Sequence, residues 1–172
     1  MSIQVAFIFP GQGCQYVGIG HSLYQDFTLA KSIFLEAEEI LGLPLRKYCF
    51  EGPFEELTKT KIVQPAILTV EYIIFSLLQE EGFEPTWVAG HSLGEYAALI
   101  ASGAITYANA LSLVRKRAEH MAAVSVNGGM AAILNLPLTD LAGMVEDLQT
   151  EGIIELANFN SPVQTVVSGE KE

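Results

Sequence analysis

Cysteine and positively charged side chains are both scarce in this sequence, and each scarcity excludes a class of protein. Only Cys14 and Cys49 occur in 172 residues, too few and too far apart for a disulfide scaffold or a cysteine-based metal cluster. Nine lysines and arginines stand against 20 aspartates and glutamates, which gives a net charge of −11. Such a surface repels nucleic acid. We therefore expect neither a nucleic-acid partner nor a metal site.

Long uninterrupted hydrophobic runs are missing as well. The longest apolar stretch, residues 66–78, contains Thr69, Glu71 and Ser76, so we predict no transmembrane helix. The first residues lack the basic start and the small-residue cleavage site of a signal peptide. We expect a cytoplasmic location and no membrane partner. Half of the residues are hydrophobic, which is enough for the core of one domain, or of a large domain with a smaller appendage.

The most informative stretch is Gly90-His91-Ser92-Leu93-Gly94. A β-branched and aromatic run at 86–89 precedes it and predicts a strand, and the run at 95–102 predicts a helix. A G-x-S-x-G sequence at a strand-to-helix turn is the nucleophile elbow, whose strained corner lifts the serine oxygen clear of the sheet. The N–H groups that follow lie at the positive end of the helix and face any oxyanion formed there. We therefore predict that Ser92 is a nucleophile; a chance glycine pattern is the alternative.

A second glycine-rich segment, residues 11–20, follows an apolar run at 4–9 that predicts a buried strand. The segment is not a dinucleotide fingerprint, because Tyr16 takes the third glycine position. It is not a P-loop either, because Ile19 stands where lysine is required. Open α/β sheets bind ligands at the end of such a strand. The loop is thus either a wide turn or a source of oxyanion-binding N–H groups, with Gln12 as its anchor.

Apolar residues at helical spacing predict further helices. These cover residues 24–41, 54–57 inside a polar connection at 43–60, 64–81, and 106–124. Pro65 is suited to the start of one helix, and Thr106 is suited to cap another. On this pattern Gln64 is either an ordinary loop residue before its helix or a polar group near the elbow, and we favour the loop interpretation.

The only dense cluster of positive charge is Arg115-Lys116-Arg117. On the helix predicted at 106–124, Lys116 points away from the apolar stripe, while Arg115 and Arg117 flank its opposite edges. Periodicity does not decide which arginine turns inward. An arginine at such a boundary usually reaches solvent, whereas a desolvated one needs an anionic partner, and a substrate carboxylate would serve.

After a glycine break at 127–129 the rhythm of the sequence changes. It predicts a strand at 130–136, a helix at 139–148 and strands at 153–158 and 164–168. This β-α-β-β order is the first part of a ferredoxin-like unit. We therefore predict an α/β fold with two parts: an α/β-hydrolase-like large subdomain with a parallel sheet and the elbow at 1–127, and an incomplete ferredoxin-like small subdomain at 128–172.

Taken together, these segments resemble the malonyl-CoA:acyl carrier protein transacylase family, which includes the acyltransferase domains of fatty acid and polyketide synthases. The matching motifs occur in family order and at family spacing over the whole chain. They are F-P-G-Q-G at 9–13, Q-P-A at 64–66, G-H-S-L-G-E-Y-A-A-L at 90–99, L-V-R-K-R at 113–117, G-M-A-A at 129–132 and N-S-P-V-Q at 160–164.

The resemblance implies a two-step transfer through a covalent ester. Ser92 would take a malonyl group from malonyl-CoA and pass it to the phosphopantetheine thiol of an acyl carrier protein, for fatty acid or polyketide synthesis. The backbone N–H groups of Gln12 and Leu93 would form the oxyanion hole. Arg117 would bind the free carboxylate of malonate and select it over acetate. Malonyl-CoA is a substrate, and no cofactor is implied.

The resemblance also assigns supporting roles and points to a missing group. His91 and Gln64 occupy positions that the family places beside the nucleophile, as supports more than as chemical participants. The family's catalytic base is a histidine downstream of residue 172, and His91, His21 and His120 are not evident substitutes for it. The chain covers a little more than half of a typical member. We therefore expect an N-terminal portion that is weakly active or inactive alone.

Two other functions stay open at this point. One is an acyl hydrolase (a proofreading thioesterase) on the same fold, although a hydrolase has no need for the carboxylate-binding Arg117. The other is a non-catalytic fragment or one subunit of a split protein, which the interrupted ferredoxin-like unit favours because its unpaired edge invites association.

Overall fold

The structure is a computed structural model that describes residues 4–124 and 127–171. The chain divides into two compact units, Met1–Ala123 and Val124–Glu172. The division into units is defined by contacts between residues and does not test domain limits. The limits 1–127 and 128–172 therefore stay a prediction.

The first unit alternates strands with helices. Its elements are β1 (Ala6–Phe9), α1 (His21–Asp26), α2 (Thr28–Leu41), α3 (Leu45–Glu51), α4 (Phe54–Leu57), α5 (Thr60–Glu80), β2 (Trp87–Gly90), α6 (Gly94–Ala101) and α7 (Tyr107–Ala122). The side chain of Thr106 accepts a hydrogen bond from the N–H of Asn109 and so caps α7, as predicted.

The two strands of this unit pair in parallel, which brings the two glycine-rich segments together. Ala6 pairs with Trp87, and Phe9 pairs with Gly90. Phe9 also packs edge-on against Phe75 of α5. Because both strands run in the same direction, the loop after β1 and the elbow after β2 leave the sheet at the same edge. The α/β class and the parallel sheet are confirmed, whereas the α/β-hydrolase-like description of this unit stays a prediction.

Helix α5 lies at the centre of the first unit. Every residue from Val63 to Glu71 is buried, and α5 packs against α2, α6 and α7. Among the described residues it is the one helix long and apolar enough to cross a membrane, with a mean hydropathy of 1.5. That test is weak evidence for a membrane span, because a core helix also passes it, and 61% of the tested window is buried inside the protein.

Three helices differ from the predicted ones. The helix predicted at 24–41 is divided, because Phe27 has an extended backbone (φ −120°, ψ 126°) between α1 and α2. Helix α3 lies in the connection that we predicted to hold one short helix, and it buries Cys49 completely. Helix α5 begins at Thr60, so Pro65 lies inside it rather than at its start. The proline costs one hydrogen bond of the helix, and burial of the surrounding residues offsets that cost.

The second unit is a three-stranded antiparallel sheet with one helix. Its elements are β3 (Gly128–Leu134), α8 (Leu138–Leu148), β4 (Ile154–Ser161) and β5 (Gln164–Glu170). The strand order is β3-β5-β4, with β5 antiparallel to both neighbours. Helix α8 buries Leu141 and Val145. The predicted β-α-β-β order is confirmed, and the ferredoxin-like description of the unit stays a prediction.

Candidate active site

Ser92 occupies a strained corner between β2 and α6. Its φ is 54°, in the left-handed region where residues with a side chain are uncommon. A Cβ on Gly90 would overlap the backbone of Gly94, and a Cβ on Gly94 would overlap the carbonyl of Phe9. Both glycines are therefore required by close approach of the backbone. The corner has the geometry of a nucleophile elbow.

The hydroxyl of Ser92 lies against a positive charge. The Nη2 group of Arg117 donates a hydrogen bond to Ser92 Oγ at 3.0 Å. The Nη1 group of the same guanidinium donates to Gln64 Oε1 at 2.6 Å. A guanidinium is a rigid planar fork of donors, so the bond to Gln64 sets the direction of the donor that reaches Ser92. An anionic group attached to Ser92 would therefore lie beside a cation that is already oriented.

Gln64 connects α5 to α7 at this point and is completely buried. Its Nε2 group donates to the sulfur of Met121 at 3.3 Å, while its oxygen accepts from Arg117. The interpretation of Gln64 as a loop residue is wrong, because α5 begins one turn earlier, at Thr60. The sequence did contain a signal for the burial of Gln64. Gln64 lies three residues before Ile67, which places it on the apolar stripe of the helix.

The sequence did not reveal the contact between Met121 and Gln64, because the pattern predicts Met121 only as a member of the apolar stripe of α7. Its position four residues after Arg117 places both side chains on the same face of the helix. Arg115 has a different environment: its Nη1 group donates to the carbonyl of Ile40 at 3.0 Å, and its Nε lies 3.9 Å from Glu119. The structure therefore places Arg117, and not Arg115, beside Ser92.

The glycine-rich loop after β1 lies next to the elbow. The N–H of His91 donates to the carbonyl of Phe9 at 3.0 Å. A Cβ on Gly11 would lie 2.7 Å from the carbonyl oxygen of His91 and 3.6 Å from Cβ of Ser92. Gln12 follows directly. Within residues 4–124, the backbone N–H groups of Gln12 and of Leu93 donate no hydrogen bond to another protein group.

The three histidines lie in other environments. His91 is exposed, with its ring close to Gly11. His21 packs on Phe50 and contacts Gln25, and His120 is exposed in the last turn of α7. In the described part of the chain, no histidine makes a hydrogen bond with Ser92 Oγ. The same part holds no group of three or more histidine, cysteine, aspartate or glutamate side chains that could bind a metal ion.

Comparison with known proteins gives consistent matches. The family model "Acyl transferase domain" matches residues 6–172. A malonyl CoA-acyl carrier protein transacylase from Bacillus subtilis is 44% identical over 169 residues, which are 96% of this chain and 53% of that protein. The chain thus spans about half the length of the relatives that it matches.

Solved structures agree with this result. The malonyl CoA-acyl carrier protein transacylase of Clostridium perfringens superposes with a TM-score of 0.88 at 39% identity, over 98% of this chain and 54% of that one. A type II PKS acyl-carrier protein in complex with its malonyl-transacylase gives 0.86 at 38% identity, over 98% and 56%. With Ser92 in an elbow and the family model covering nearly the whole sequence, the chain belongs to the acyl transferase domain family.

Proposed function

We propose that this chain carries the nucleophile and the carboxylate-binding group of a malonyltransferase. The thiolate of coenzyme A leaves as Ser92 Oγ attacks the thioester carbon of malonyl-CoA and forms a malonyl ester. The phosphopantetheine thiol of an acyl carrier protein then attacks that ester and restores the serine. The names of the relatives support this choice, because each acts on malonyl-CoA and acyl carrier protein. The carrier belongs to fatty acid or polyketide synthesis in the cytoplasm, and no cofactor is needed.

The contact between Arg117 and Ser92 Oγ is the single observation that carries this proposal. A malonyl ester on Ser92 ends in a free carboxylate at the far end of a short chain, so the carboxylate stays close to the guanidinium. Two parallel N–H···O bonds can form there. An acetyl ester has no carboxylate and would leave the half-buried cation without an anionic partner, which disfavours acetyl transfer.

The oxyanion of each step needs donors as well. The free N–H groups of Gln12 and Leu93 lie on the loop after β1 and at the start of α6, which flank Ser92. We assign them to the oxyanion hole, where one such donor contributes about 3–4 kcal/mol to lowering the barrier. His91 and Gln64 have supporting roles: His91 at the elbow, and Gln64 through the guanidinium that it orients.

A base is still required, because a serine hydroxyl is a weak nucleophile without one. No histidine of the described residues makes a hydrogen bond with Ser92 Oγ, so we propose that the base is a histidine in the portion that the relatives have beyond the matched half. This chain alone should therefore load malonyl groups slowly or not at all.

Intact-mass measurement after brief incubation with malonyl-CoA tests the proposal. In a chain extended with the remaining portion of a relative, a malonyl adduct should form on the parent and on Lys116→Ala, the matched control next to Arg117, and be absent from Ser92→Ala. Arg117→Ala should lose the preference for malonyl-CoA over acetyl-CoA. If the adduct requires a chain extended with the remaining portion of a relative, the base lies in that portion. Absence of the adduct from both forms would refute malonyl transfer.

Measurement of the product that leaves Ser92 distinguishes an acyl hydrolase. A hydrolase would release free malonate to water, whereas a transferase would deliver it to an acyl carrier protein. We expect transfer to predominate, because Arg117 is a carboxylate-binding group that a general hydrolase does not require. A third candidate, a non-catalytic subunit of a split protein, would give neither product in any combination.

A further inference from the structure

The side chain of Gln64 is held in one orientation by the two groups that it contacts. Its Oε1 atom accepts from Arg117 at 2.6 Å, and its Nε2 group donates to the sulfur of Met121 at 3.3 Å. A guanidinium only donates hydrogen bonds, so the oxygen end of the amide must face Arg117 and the N–H end must face Met121. The sulfur of Met121 is thus the far end of a chain of contacts that runs through Gln64 and the guanidinium to Ser92.

The contact with the sulfur is the weakest bond in this chain. A thioether is a poor hydrogen-bond acceptor, yet in the described part of the protein it is the one partner of Gln64 Nε2. Gln64 is completely buried, so the N–H end of its amide depends on this acceptor. A chemical change at the sulfur therefore reaches the amide, and through the amide it reaches the guanidinium.

Met121 is also accessible to small oxidants. It is 49% exposed, and the acyl donor and the carrier thiol must both reach the nearby Ser92, so a molecule as small as a peroxide has the same route. Met130 and Met144 are exposed too, but they belong to the second unit and make no hydrogen bond through their sulfur within the described residues. Of the described methionines, Met121 is the one hydrogen-bonded to a group of the candidate site.

We propose that Met121 is an oxidation site, and that its conversion to methionine sulfoxide lowers the preference for malonyl groups. The sulfur attacks one oxygen of a hydroperoxide and keeps it, and the O–O bond breaks. The proton of the hydroperoxide passes to the departing oxygen, which leaves as water or an alcohol. The sulfur loses two electrons and the peroxide gains them. This inference rests on the proposed function, because it concerns the arginine that binds the malonyl carboxylate.

The added oxygen does not fit into the present contact. Nitrogen and oxygen in a hydrogen bond lie about 2.9 Å apart, which takes up most of the 3.3 Å between Gln64 Nε2 and the sulfur. The oxygen either displaces the amide or turns towards Arg117, which lies one turn earlier on the same face of α7. A displaced amide no longer orients the guanidinium, and a sulfoxide oxygen bonded to the guanidinium competes with the malonyl carboxylate. Neither change affects an acetyl group, which has no carboxylate.

A chain extended with the portion of the Bacillus subtilis relative beyond the matched half tests this proposal. It is treated briefly with hydrogen peroxide and then with dithiothreitol, which reverses sulfenic acids and disulfides at Cys14 and Cys49 but leaves sulfoxides in place. Peptide mapping gives the sulfoxide fraction at each methionine, and intact mass gives the rates of loading from malonyl-CoA and from acetyl-CoA. The variants are Met121→Leu and the matched control Met144→Leu.

We expect Met121 of the parent to form sulfoxide on the same timescale as Met130 and Met144. The ratio of malonyl to acetyl loading should then fall at least about tenfold, which corresponds to one hydrogen bond to a charged group, while the acetyl rate stays unchanged. Methionine sulfoxide reductase should restore the ratio. Met144→Leu should behave as the parent. Met121→Leu should start from a lower ratio, because leucine offers no acceptor, and peroxide should not lower it further.

Three results would overturn the proposal. Sulfoxide at Met130 and Met144 without sulfoxide at Met121 would mean that peroxide does not reach this sulfur. An unchanged ratio in protein oxidised at Met121 would mean that the sulfur does not control the arginine. An equal fall of the ratio in Met121→Leu would assign the effect to another group. In each case malonyl loading before peroxide would leave the proposed function standing, whereas no loading before peroxide would refute that function itself.

Discussion

The buried carboxyl of Glu71 should make the stability of this chain fall as the pH rises. Its ordinary pKa of 4.5 applies to the unfolded chain, and burial raises the pKa in the folded chain to about 8. Between these values the folded state holds a proton that the unfolded state has lost. The free energy of unfolding therefore decreases with pH across that window. The stabilisation is complete below about pH 4.5 and is lost as the pH passes 8.

The size of the effect follows from the two pKa values of 4.5 and about 8. Each pKa unit corresponds to about 1.36 kcal/mol, which gives an upper bound of roughly 4–5 kcal/mol across the whole window. Glu71 is only 7% exposed, so solvent screening removes little of this. A small protein is stabilised by only about 5–15 kcal/mol in total. Ionisation of this one carboxyl would therefore remove a substantial fraction of the free energy of unfolding.

Urea unfolding at about pH 5, 6.5 and 8 measures the effect. Other groups titrate in the same range, so the informative quantity is the difference between the parent chain and Glu71→Gln, which carries no titratable group. The parent should lose stability relative to Glu71→Gln as the pH rises, whereas Glu80→Gln, changed at an exposed site, should follow the parent. Parallel pH profiles for the parent and Glu71→Gln would refute the burial argument.

Three further substitutions test the site and its support. Gly94→Ala should destabilise the chain by at least about 2 kcal/mol, because its Cβ overlaps the carbonyl of Phe9; unchanged melting in calorimetry would contradict the elbow geometry. Tyr107→Phe should cost about 1 kcal/mol in urea unfolding. The hydroxyl of Thr69 donates to the carbonyl of Pro65, so it accepts its second hydrogen bond from the hydroxyl of Tyr107. An unchanged free energy of unfolding for Tyr107→Phe would argue against that second bond. Gln64→Ala should reduce the preference for malonyl-CoA over acetyl-CoA about tenfold, by releasing the arginine that it orients; an unchanged preference, measured by intact mass in the chain or the extended form, would show that the arginine is oriented without it.

Local sequence patterns were sufficient for most of the secondary structure and for the elbow at Ser92. The glycines at 90 and 94 predicted the elbow because steric overlap at a tight turn depends on neighbouring residues alone. Thr106 predicted the start of α7 for the same reason, since its hydroxyl bonds to an N–H three residues on. The β-α-β-β order after residue 127 also followed from periodicity. The resemblance to the acyltransferases singled out Arg117 from sequence motifs alone.

Long-range packing determined the remaining features, because their partners are distant in sequence. Periodicity left Arg115 and Arg117 equivalent, and only the packing of α7 on α5 places one of them beside Ser92. The sequence predicted Gln64 in a loop because proline usually starts a helix. Burial among the neighbouring helices instead lets α5 begin earlier, at Thr60. The burial of the Glu71 carboxyl likewise depends on where β1 lies against α5. Local sterics and hydrogen bonding are thus encoded within a few residues, whereas desolvation and charge pairing depend on the assembled fold.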